Sequence, residues 1–242
     1  MANLAGKYDF STLKQGISAG ETLPKATWEA FYKATGIRLI DGLGSTEMLH
    51  IFVSAPSDEM QPGCTGKAIP GYQARVVDKN GNETKPGTPG LLAVKGPTGC
   101  RYMVDPRQFE YVQDGWNYPG DVYLINEEGY FQYVARADDM IISSGYNISG
   151  PEVENVLLEH QAVLECAVVG APDPDRTNIV KAFIVLQDGI IGEDSLTVTL
   201  QNFVKDKIAP YKYPRSIEYL DTLPKTATGK LQRFRLREKA GE

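Results

Sequence analysis

The first sixty residues carry apolar positions with two different periods. The stretch LKQGISAG reads as a short strand that runs into a turn. In PKATWEAFYKATG, Trp28, Phe31 and Tyr32 recur at helical spacing and Gly36 follows, which predicts a helix ending at a glycine. RLIDGLGSTEM then returns to a strand with a glycine-punctuated turn. The order strand, helix, strand predicts an α/β segment.

From about residue 64 to 134 the pattern changes to short alternating runs. They are YQARVVD, GLLAVKG and DVYLINEEGYFQYVA. Turn-forming residues separate them, most plainly in KNGNETKPGTPG. Alternation with tight turns is typical of antiparallel strands, so we expect a small antiparallel sheet or barrel here.

The remainder of the chain alternates strand and helix patterns. MIISS and YNIS predict two short strands, and PEVENVLLEH predicts a helix with Pro151 near its start. ECAVVGA and VKAFIVLQ predict two buried strands, and SLTVTLQNFVKDKI predicts an amphipathic helix. SIEYL predicts a last strand, which is followed by a polar loop and a basic tail. This part has the size of an independent domain, roughly 100 residues.

Composition and charge exclude several classes of protein. The 242 residues are 42% hydrophobic and 23% charged, as in ordinary globular proteins. The net charge of −6 argues against a nucleic-acid or membrane-surface binder. No apolar run reaches the ~18 residues of a membrane span, and no signal-peptide pattern is present, so we expect a cytoplasmic location.

Cysteine and histidine usage narrows the chemistry further. Cys64, Cys100 and Cys166 are widely spaced and form no CxxC pair, which indicates reduced thiols. His50 and His160 are the two histidines. With so few nitrogen and sulfur ligands, a bound metal is expected to be a hard, oxygen-bound cation such as Mg²⁺.

Three polar segments are candidates for chemistry, each with a plainer alternative. Lys230 ends LPKTATGK, a loop that can deliver a cation to a reacting centre. The plainer alternative is a lysine that is merely solvated. Leu231 follows where a Walker A loop has Ser or Thr, so the loop is not of that type. GLGSTE offers two hydroxyl groups, and its Glu47 is a hard oxygen ligand for Mg²⁺. The plainer alternative for this segment is a helix N-cap with an acid in the first turn. Asp121 and Arg136 fit surface turns, and an aspartate beside a glycine at a strand end, as Asp121 is, is also a good acceptor for a ribose diol.

The order of these segments resembles the adenylate-forming superfamily of acyl-CoA synthetases, luciferases and peptide-synthetase adenylation domains. The resemblance runs from about residue 17 to 236. The matching segments are SAGETLP, GLGSTE, GDVYLINEEGYFQYVARADD, SSGYNISGPEVE, APYKYP and LPKTATGKLQR. The resemblance implies the C-terminal part of a large adenylation domain over 1–137, an α/β segment plus the β sheet or barrel, followed by a small mobile α+β lid domain over 138–242.

The resemblance also implies roles for individual residues, with ATP, Mg²⁺ and coenzyme A as cofactors. The implied roles are adenine contacts for Gly20, Glu21 and Asp41, phosphate contact for Thr46, Mg²⁺ binding for Glu47, ribose binding for Asp121 with Arg136, catalysis for Lys230, a hinge at Asp138, and CoA binding for Gly145, Tyr146 and Asn147.

Within the superfamily, GSTEMLHIF and ARADDMIISSGYNISGPEVE look most like the benzoate and 2-aminobenzoate CoA ligases. The implied reaction joins a carboxylic acid to CoA and splits ATP into AMP and pyrophosphate through an acyl-adenylate. Met48 and His50 would then line the acyl pocket. For His50, a hydrogen-bonded structural role is an equal alternative.

One superfamily motif has no counterpart here, the phosphate loop of the kind TSGTTGxPK. We therefore expect this chain to be the C-terminal portion of a ligase whose partner is the missing N-terminal half. An inactive remnant, or an interaction module that binds nucleotide or CoA, is the alternative from another class. A peptide-synthetase adenylation domain is disfavoured because the CoA-tunnel segment is well matched.

Overall fold

A computed structural model describes residues 7–241 of the chain. Backbone contacts divide the chain into two compact units, Met1–Ala137 and Asp138–Glu242. The first six residues of the range 1–137 and the last of 138–242 lie outside the described part. Within residues 7–241, none of the helices has the length and apolar character needed to cross a bilayer.

The first unit begins with a four-stranded sheet and one helix. The elements are β1 (Gly16–Ala19), α1 (Lys25–Thr35), β2 (Leu39–Gly44), β3 (Ile51–Ser54) and β4 (Lys67–Ala68). β1 pairs with β2 in parallel, and β2, β3 and β4 pair antiparallel in that order. α1 buries Trp28 and Phe31, the residues whose spacing predicts it, and the Trp28 indole donates a 2.8 Å hydrogen bond to the Leu39 carbonyl.

A second, antiparallel sheet completes the first unit. Its elements are β5 (Gln73–Val77), β6 (Gly90–Lys95), α2 (Arg107–Tyr111), β7 (Val112–Gln113), β8 (Trp116–Asn117), β9 (Asp121–Ile125) and β10 (Phe131–Arg136). The strand order is β10-β9-β6-β8-β7, with β5 also paired to β6. Among the described residues the outer strands do not pair with each other, so the sheet is open. The barrel alternative is wrong, and the sheet alternative is confirmed.

The second unit contains a two-stranded sheet followed by a separate three-stranded sheet, which is covered by helices on both faces. Its elements are β11 (Ile141–Ser143), β12 (Tyr146–Ile148), α3 (Gly150–Leu157), β13 (Val163–Asp173), β14 (Thr177–Leu186), α4 (Asp194–Lys207), β15 (Ser216–Tyr219) and α5 (Arg233–Ala240). β13 and β14 form a long antiparallel pair, and β15 lies parallel to β14.

Alternate residues of β13 face two different apolar clusters, as the period of a strand requires. Cys166 and Val168 pack in the cluster that contains α3 and α4. Ala167 and Val169 pack in the cluster that contains Leu236 of α5. Both faces of the strand are buried, which explains its nearly continuous apolar sequence.

Residues 233–240, within the basic tail expected after the polar loop, are helical. They form α5, whose Leu236 is 2% exposed. The sequence RFRLREKA contains a single buried apolar residue, so no helical period marks it. Contacts with the rest of the second unit, described below, hold the helix in place.

Candidate active site

Two predicted site segments follow parallel strands that end side by side. Ala19, the last residue of β1, pairs with Gly42 of β2. Gly20 and Glu21 follow β1 directly, and the turn at residues 45–47 follows β2. Because parallel strands present their carboxyl ends at one edge of a sheet, the predicted adenine and phosphate segments meet there. Gly20 has a φ of 92° in open surroundings, as a turn at this edge requires.

Two tyrosine hydroxyls hold the Glu47 carboxylate. The Tyr102 hydroxyl donates a 2.8 Å hydrogen bond to Oε1, and the Tyr111 hydroxyl lies 3.5 Å from Oε2. The Tyr111 oxygen is also 3.1 Å from the Ser45 hydroxyl. Neither tyrosine is predicted from the sequence, because both lie more than fifty residues beyond Glu47 in the chain.

These contacts keep Glu47 ionised. Partial burial raises its pKa, but the backbone N–H and the hydroxyls of Tyr102, Ser45 and Tyr111 outweigh burial and lower the pKa overall. In return, the hydrogen bond to Glu47 raises the pKa of Tyr102 to about 12, so this phenol remains a donor at neutral pH.

The donor set around Glu47 fits a magnesium ion that is shared with a nucleotide. Across residues 7–241, no group of three or more His, Cys, Asp or Glu side chains is placed to hold a metal. Mg²⁺ is commonly bound by one or two carboxylates together with substrate phosphates and water. An ionised Glu47 next to the exposed Thr46 hydroxyl meets that requirement without a cage of protein ligands.

Asp41 lies buried on β2 with 6% exposure. Burial raises its pKa to about 7, although the Gly42 N–H and the Thr65 hydroxyl oppose that rise. The Thr65 hydroxyl is also 3.4 Å from the hydroxyl of the buried Tyr123. The pKa of Tyr123 is raised well above its usual value by burial first, and further by the charges of Asp121 and Asp41. Thr65 therefore contacts both Asp41 and Tyr123, and Tyr123 is two residues after Asp121 on β9.

Asp121 and Arg136 face each other across two paired strands. Asp121 begins β9, Arg136 ends β10, and the two are register partners. Arg136 Nη1 lies 3.2 Å from Asp121 Oδ1 and donates a 2.8 Å hydrogen bond to the Pro119 carbonyl. A side chain at Gly120, where φ is 82°, would place its Cβ 3.0 Å from Arg136 Nη2. Glycine therefore leaves room for the guanidinium.

The two residues predicted for the acyl pocket have different surroundings. Met48 is fully buried in an apolar cluster with Phe52. His50 is exposed, and its Nε2 lies 3.0 Å from the Tyr72 hydroxyl, which is 2.6 Å from the Thr98 hydroxyl. These contacts match the structural alternative for His50, and a pocket role for either residue remains a prediction.

In the second unit, the predicted CoA segment is a tight hairpin. Ser143 pairs with Tyr146, and the two residues between them, Ser144 and Gly145, have φ values of 48° and 82°. Two positive φ values are characteristic of a type I′ turn, the usual two-residue hairpin connection. Tyr146 stacks on Tyr211 with 4.4 Å between ring centroids, and both rings are substantially exposed, as are Gly145 and Asn147.

Lys230 ends a hairpin that is closed by its own hydrogen bonds. The Thr226 N–H donates to the Lys230 carbonyl at 2.8 Å, and the Lys230 N–H donates to the Thr226 hydroxyl at 3.0 Å. Lys225 pairs with Leu231 across the hairpin. The Lys230 side chain is exposed, and its ammonium group has no hydrogen bond or ion pair with residues 7–241. Asp138, the predicted hinge, lies in a 3-10 turn at Ala137–Asp139 and is the first residue of the second unit.

Comparison with known proteins assigns both parts of the chain to one enzyme family. The model for "AMP-binding enzyme" matches residues 1–102, and the model for "AMP-binding enzyme C-terminal domain" matches residues 152–230. The benzoate–CoA ligase of Thauera aromatica is 46% identical over 228 residues, which are 93% of this chain and 43% of that protein.

Solved structures give the same assignment. The anthranilate CoA ligase AuaEII, in complex with anthranoyl-AMP, superimposes with a TM-score of 0.92 at 39% identity, covering 98% of this chain and 46% of that one. A benzoate CoA ligase from Burkholderia xenovorans LB400 gives 0.86 at 41% identity, covering 93% and 45%. The chain thus spans less than half the length of each of these relatives. It belongs to the AMP-binding, adenylate-forming enzyme family of the acyl-CoA ligases, and it contains matches to both that family's AMP-binding part and its C-terminal domain.

Proposed function

We propose that this chain is the C-terminal portion of an ATP-dependent carboxylic acid–CoA ligase. One observation carries the proposal: a chain of this family retains an ionised, doubly hydroxyl-bound Glu47 and an exposed lysine at the end of a preformed hairpin. A metal-binding carboxylate and a mobile cation are the two groups that a reaction between two anions needs most.

The first unit supplies the nucleotide contacts in this proposal. Gly20, Glu21 and Asp41 contact adenine at the edge where β1 and β2 end. Asp121 accepts hydrogen bonds from the ribose hydroxyls, and Arg136 orients that carboxylate through their 3.2 Å contact. Support for this assignment comes from the register of β1 with β2 and from the register pairing of Asp121 with Arg136.

Adenylation is the first half-reaction. A carboxylate oxygen of the acid attacks the α-phosphorus of ATP, the bond to the bridging oxygen of pyrophosphate breaks, and pyrophosphate leaves with that electron pair. Negative charge accumulates around phosphorus, where the ammonium group of Lys230 stabilises it. Thr46 contacts the phosphates, and Glu47 would hold Mg²⁺, which when bound would neutralise phosphate charge.

Thioester formation is the second half-reaction. The sulfur of CoA attacks the carbonyl carbon of the acyl-adenylate, the bond from carbon to the phosphate oxygen breaks, and AMP leaves while the thiol proton passes to solvent. We assign the hairpin of Gly145, Tyr146 and Asn147 to the pantetheine path. Between the two steps the lid rotates at Asp138, which removes Lys230 from the reacting centre and brings this hairpin to it.

We further propose an aromatic acid such as benzoate or 2-aminobenzoate as substrate, with residues 1–137 belonging to the large domain and 138–242 acting as the lid. The relatives named above support this choice by their own substrates. The acyl pocket and phosphate loop would come from the N-terminal half, because the relatives are about twice as long. Three free cysteines favour the cytoplasm as location.

The test is isotope exchange between ATP and pyrophosphate in the presence of benzoate or 2-aminobenzoate. We expect exchange by the complete protein and little by the 242-residue chain alone. Absence of exchange by the complete protein with any aryl or alkyl carboxylate would overturn the ligase proposal in favour of a remnant. Strong exchange by this chain alone would overturn the need for an N-terminal half.

A further inference from the structure

A network of charged side chains connects three segments of the second unit. The Arg233 guanidinium donates from Nη1 and Nη2 to the two oxygens of Glu154, at 2.7 and 2.9 Å. Its Nε lies 4.0 Å from Asp139 Oδ2, and Arg237 donates to the other oxygen of Asp139. Glu154 Oε1 also accepts a 2.7 Å hydrogen bond from the Val168 N–H. α5 is therefore tied to α3, to β13 and to the turn that begins the unit.

Three of the four side chains in the network are largely removed from solvent, while that of Arg237 is 41% exposed. The side chains of Arg233, Asp139 and Glu154 are 19%, 17% and 11% exposed. Taking charges out of water costs free energy that mutual attraction often fails to recover, so a buried ion network is a poor way to gain stability. A bidentate arginine–carboxylate pair does define geometry closely, because both groups are planar and their two hydrogen bonds are parallel. Definition of position is therefore the property that this network supplies.

Both ends of the network adjoin residues that the proposed mechanism uses. Asp139 follows the hinge residue Asp138 directly, and Arg233 comes three residues after Lys230. The short connection from Lys230 to Arg233 is itself held, because the Gln232 N–H donates a 2.9 Å hydrogen bond to the Pro224 carbonyl. Leu231 packs against the buried cluster that contains Leu236. Few backbone angles between the network and the lysine are left free.

We propose that Asp139 is a positioning residue which, through its hydrogen bond from Arg237 and its contact with Arg233, couples the hinge to the Lys230 hairpin, so that rotation at Asp138 carries the lysine as one body. This inference rests on the proposed ligase function for its kinetic consequence, although the coupling itself is a property of the fold. A displacement of about 1 Å in a catalytic group can cost roughly a hundredfold in rate. A lysine that acts only in the transition state needs such coupling if the lid is to return it to the same place in every cycle.

Asp139→Asn is the variant that tests the coupling, since it removes one charge and leaves the Glu154–Arg233 pair intact. Asp139→Glu keeps the charge, and Asp221→Asn is a matched control at an exposed aspartate of the same unit. The first readout is amide hydrogen exchange in the 242-residue chain at Thr226 and Lys230, whose N–H groups close the hairpin. We expect both amides to exchange about tenfold faster in Asp139→Asn, with smaller changes in Asp139→Glu and none in Asp221→Asn.

The second readout uses the complete protein and separates the half-reactions. We expect Asp139→Asn to lower kcat for ATP–pyrophosphate exchange about tenfold and to leave KM for ATP and acid within twofold, because a transition-state contact is affected. Thioester formation from preformed acyl-adenylate should change much less, and Asp139→Glu should restore part of the loss.

Hairpin amides that exchange at the wild-type rate in Asp139→Asn would overturn the coupling, whatever the activity. Equal losses in both half-reactions would overturn it as well, because they indicate general damage to the lid. A wild-type protein with no pyrophosphate exchange would instead refute the proposed function. The amide rates would still decide whether Asp139 holds the hairpin.

Discussion

The Tyr102 hydroxyl donates a 2.8 Å hydrogen bond to Glu47 Oε1 from 55 residues away in sequence. A phenol has one proton to donate, so this contact directs one carboxylate oxygen and leaves further lone pairs of both oxygens available. The long separation means that tertiary structure, in addition to its own turn, orients the candidate metal ligand.

Removal of that hydroxyl tests the orientation of Glu47. In the complete protein, we expect Tyr102→Phe to weaken the binding of Mn²⁺–ATP about five- to tenfold, which corresponds to the loss of one hydrogen bond of about 1 kcal/mol. The pKa of Glu47 should rise, because the lost hydrogen bond lowers it. Electron paramagnetic resonance of Mn²⁺ measures the affinity, with the exposed Tyr8→Phe as control. Unchanged affinity would show that Tyr102 does not orient a metal ligand.

Asp41 should make the stability of the chain depend on pH in an unusual direction. Its pKa is raised to about 7 by burial, from 3.8 when unfolded, so between these values the folded chain binds more protons than the unfolded chain. The free energy of unfolding therefore falls as pH rises from about 4 to about 7, by up to ~4 kcal/mol from this group.

Urea unfolding of the 242-residue chain at a series of pH values measures this effect. Asp41→Asn has no proton to lose, so its unfolding free energy should decline less over the same interval and should exceed that of the wild type above pH 7. Parallel profiles for the two chains would contradict a raised pKa. A carbon-13 titration of the Asp41 carboxyl group gives the value directly.

Gly120 and Gly81 form a matched pair for the space beneath Arg136. Both have a φ of 82°, but a Cβ at Gly120 meets the Arg136 guanidinium at 3.0 Å while one at Gly81 meets nothing within 4 Å. Alanine at either position should cost about 1 kcal/mol of stability through backbone strain. Only Gly120→Ala should also weaken AMP binding by the complete protein, by about threefold or more, as calorimetry can measure. Equal AMP affinities for the two variants would indicate that Arg136 does not support the ribose site.

Lys230→Ala should separate the two half-reactions of the complete protein. We expect ATP–pyrophosphate exchange to fall by at least a hundredfold, since an isolated charge stabilising a transition state is lost. Thioester formation from preformed acyl-adenylate should remain within a few-fold of wild type. Lys79→Ala, which also removes an exposed lysine, should leave both rates unchanged. Similar losses in the two half-reactions would contradict the role assigned to Lys230.

Sequence patterns predict those elements whose stabilising residues all lie within one short stretch of the chain. Trp28, Phe31 and Gly36 mark α1 because burial and the left-handed cap both act within one stretch of chain. The hairpin at Ser144 and Gly145 is likewise marked by its flanking strands. The segments that resemble the adenylate-forming superfamily, such as GLGSTE and LPKTATGKLQR, are recognisable for the same reason, because each is a short continuous run of residues.

The features missed from sequence depend on contacts between distant residues. α5 has a single buried apolar side chain, and the bidentate contact of Arg233 with Glu154 lies 79 residues away. The barrel alternative failed because alternation reports a half-buried strand and not whether a sheet closes. Tyr102 and Tyr111 belong to no pattern, since a hydroxyl that reaches Glu47 from another segment has no periodic signal.

The closed backbone of the Lys230 hairpin would affect the energetics of turnover in the proposed ligase. Its backbone is already closed by two hydrogen bonds between Thr226 and Lys230, while the ammonium group is left exposed. Fixing one residue of free backbone costs about 1–2 kcal/mol, and a disordered arm of five residues would lose that entropy in every catalytic cycle. Here the loss is incurred once, at folding. In the proposed ligase, only the rotamers of the Lys230 side chain would remain to be selected when substrate binds, because the hairpin backbone is already ordered.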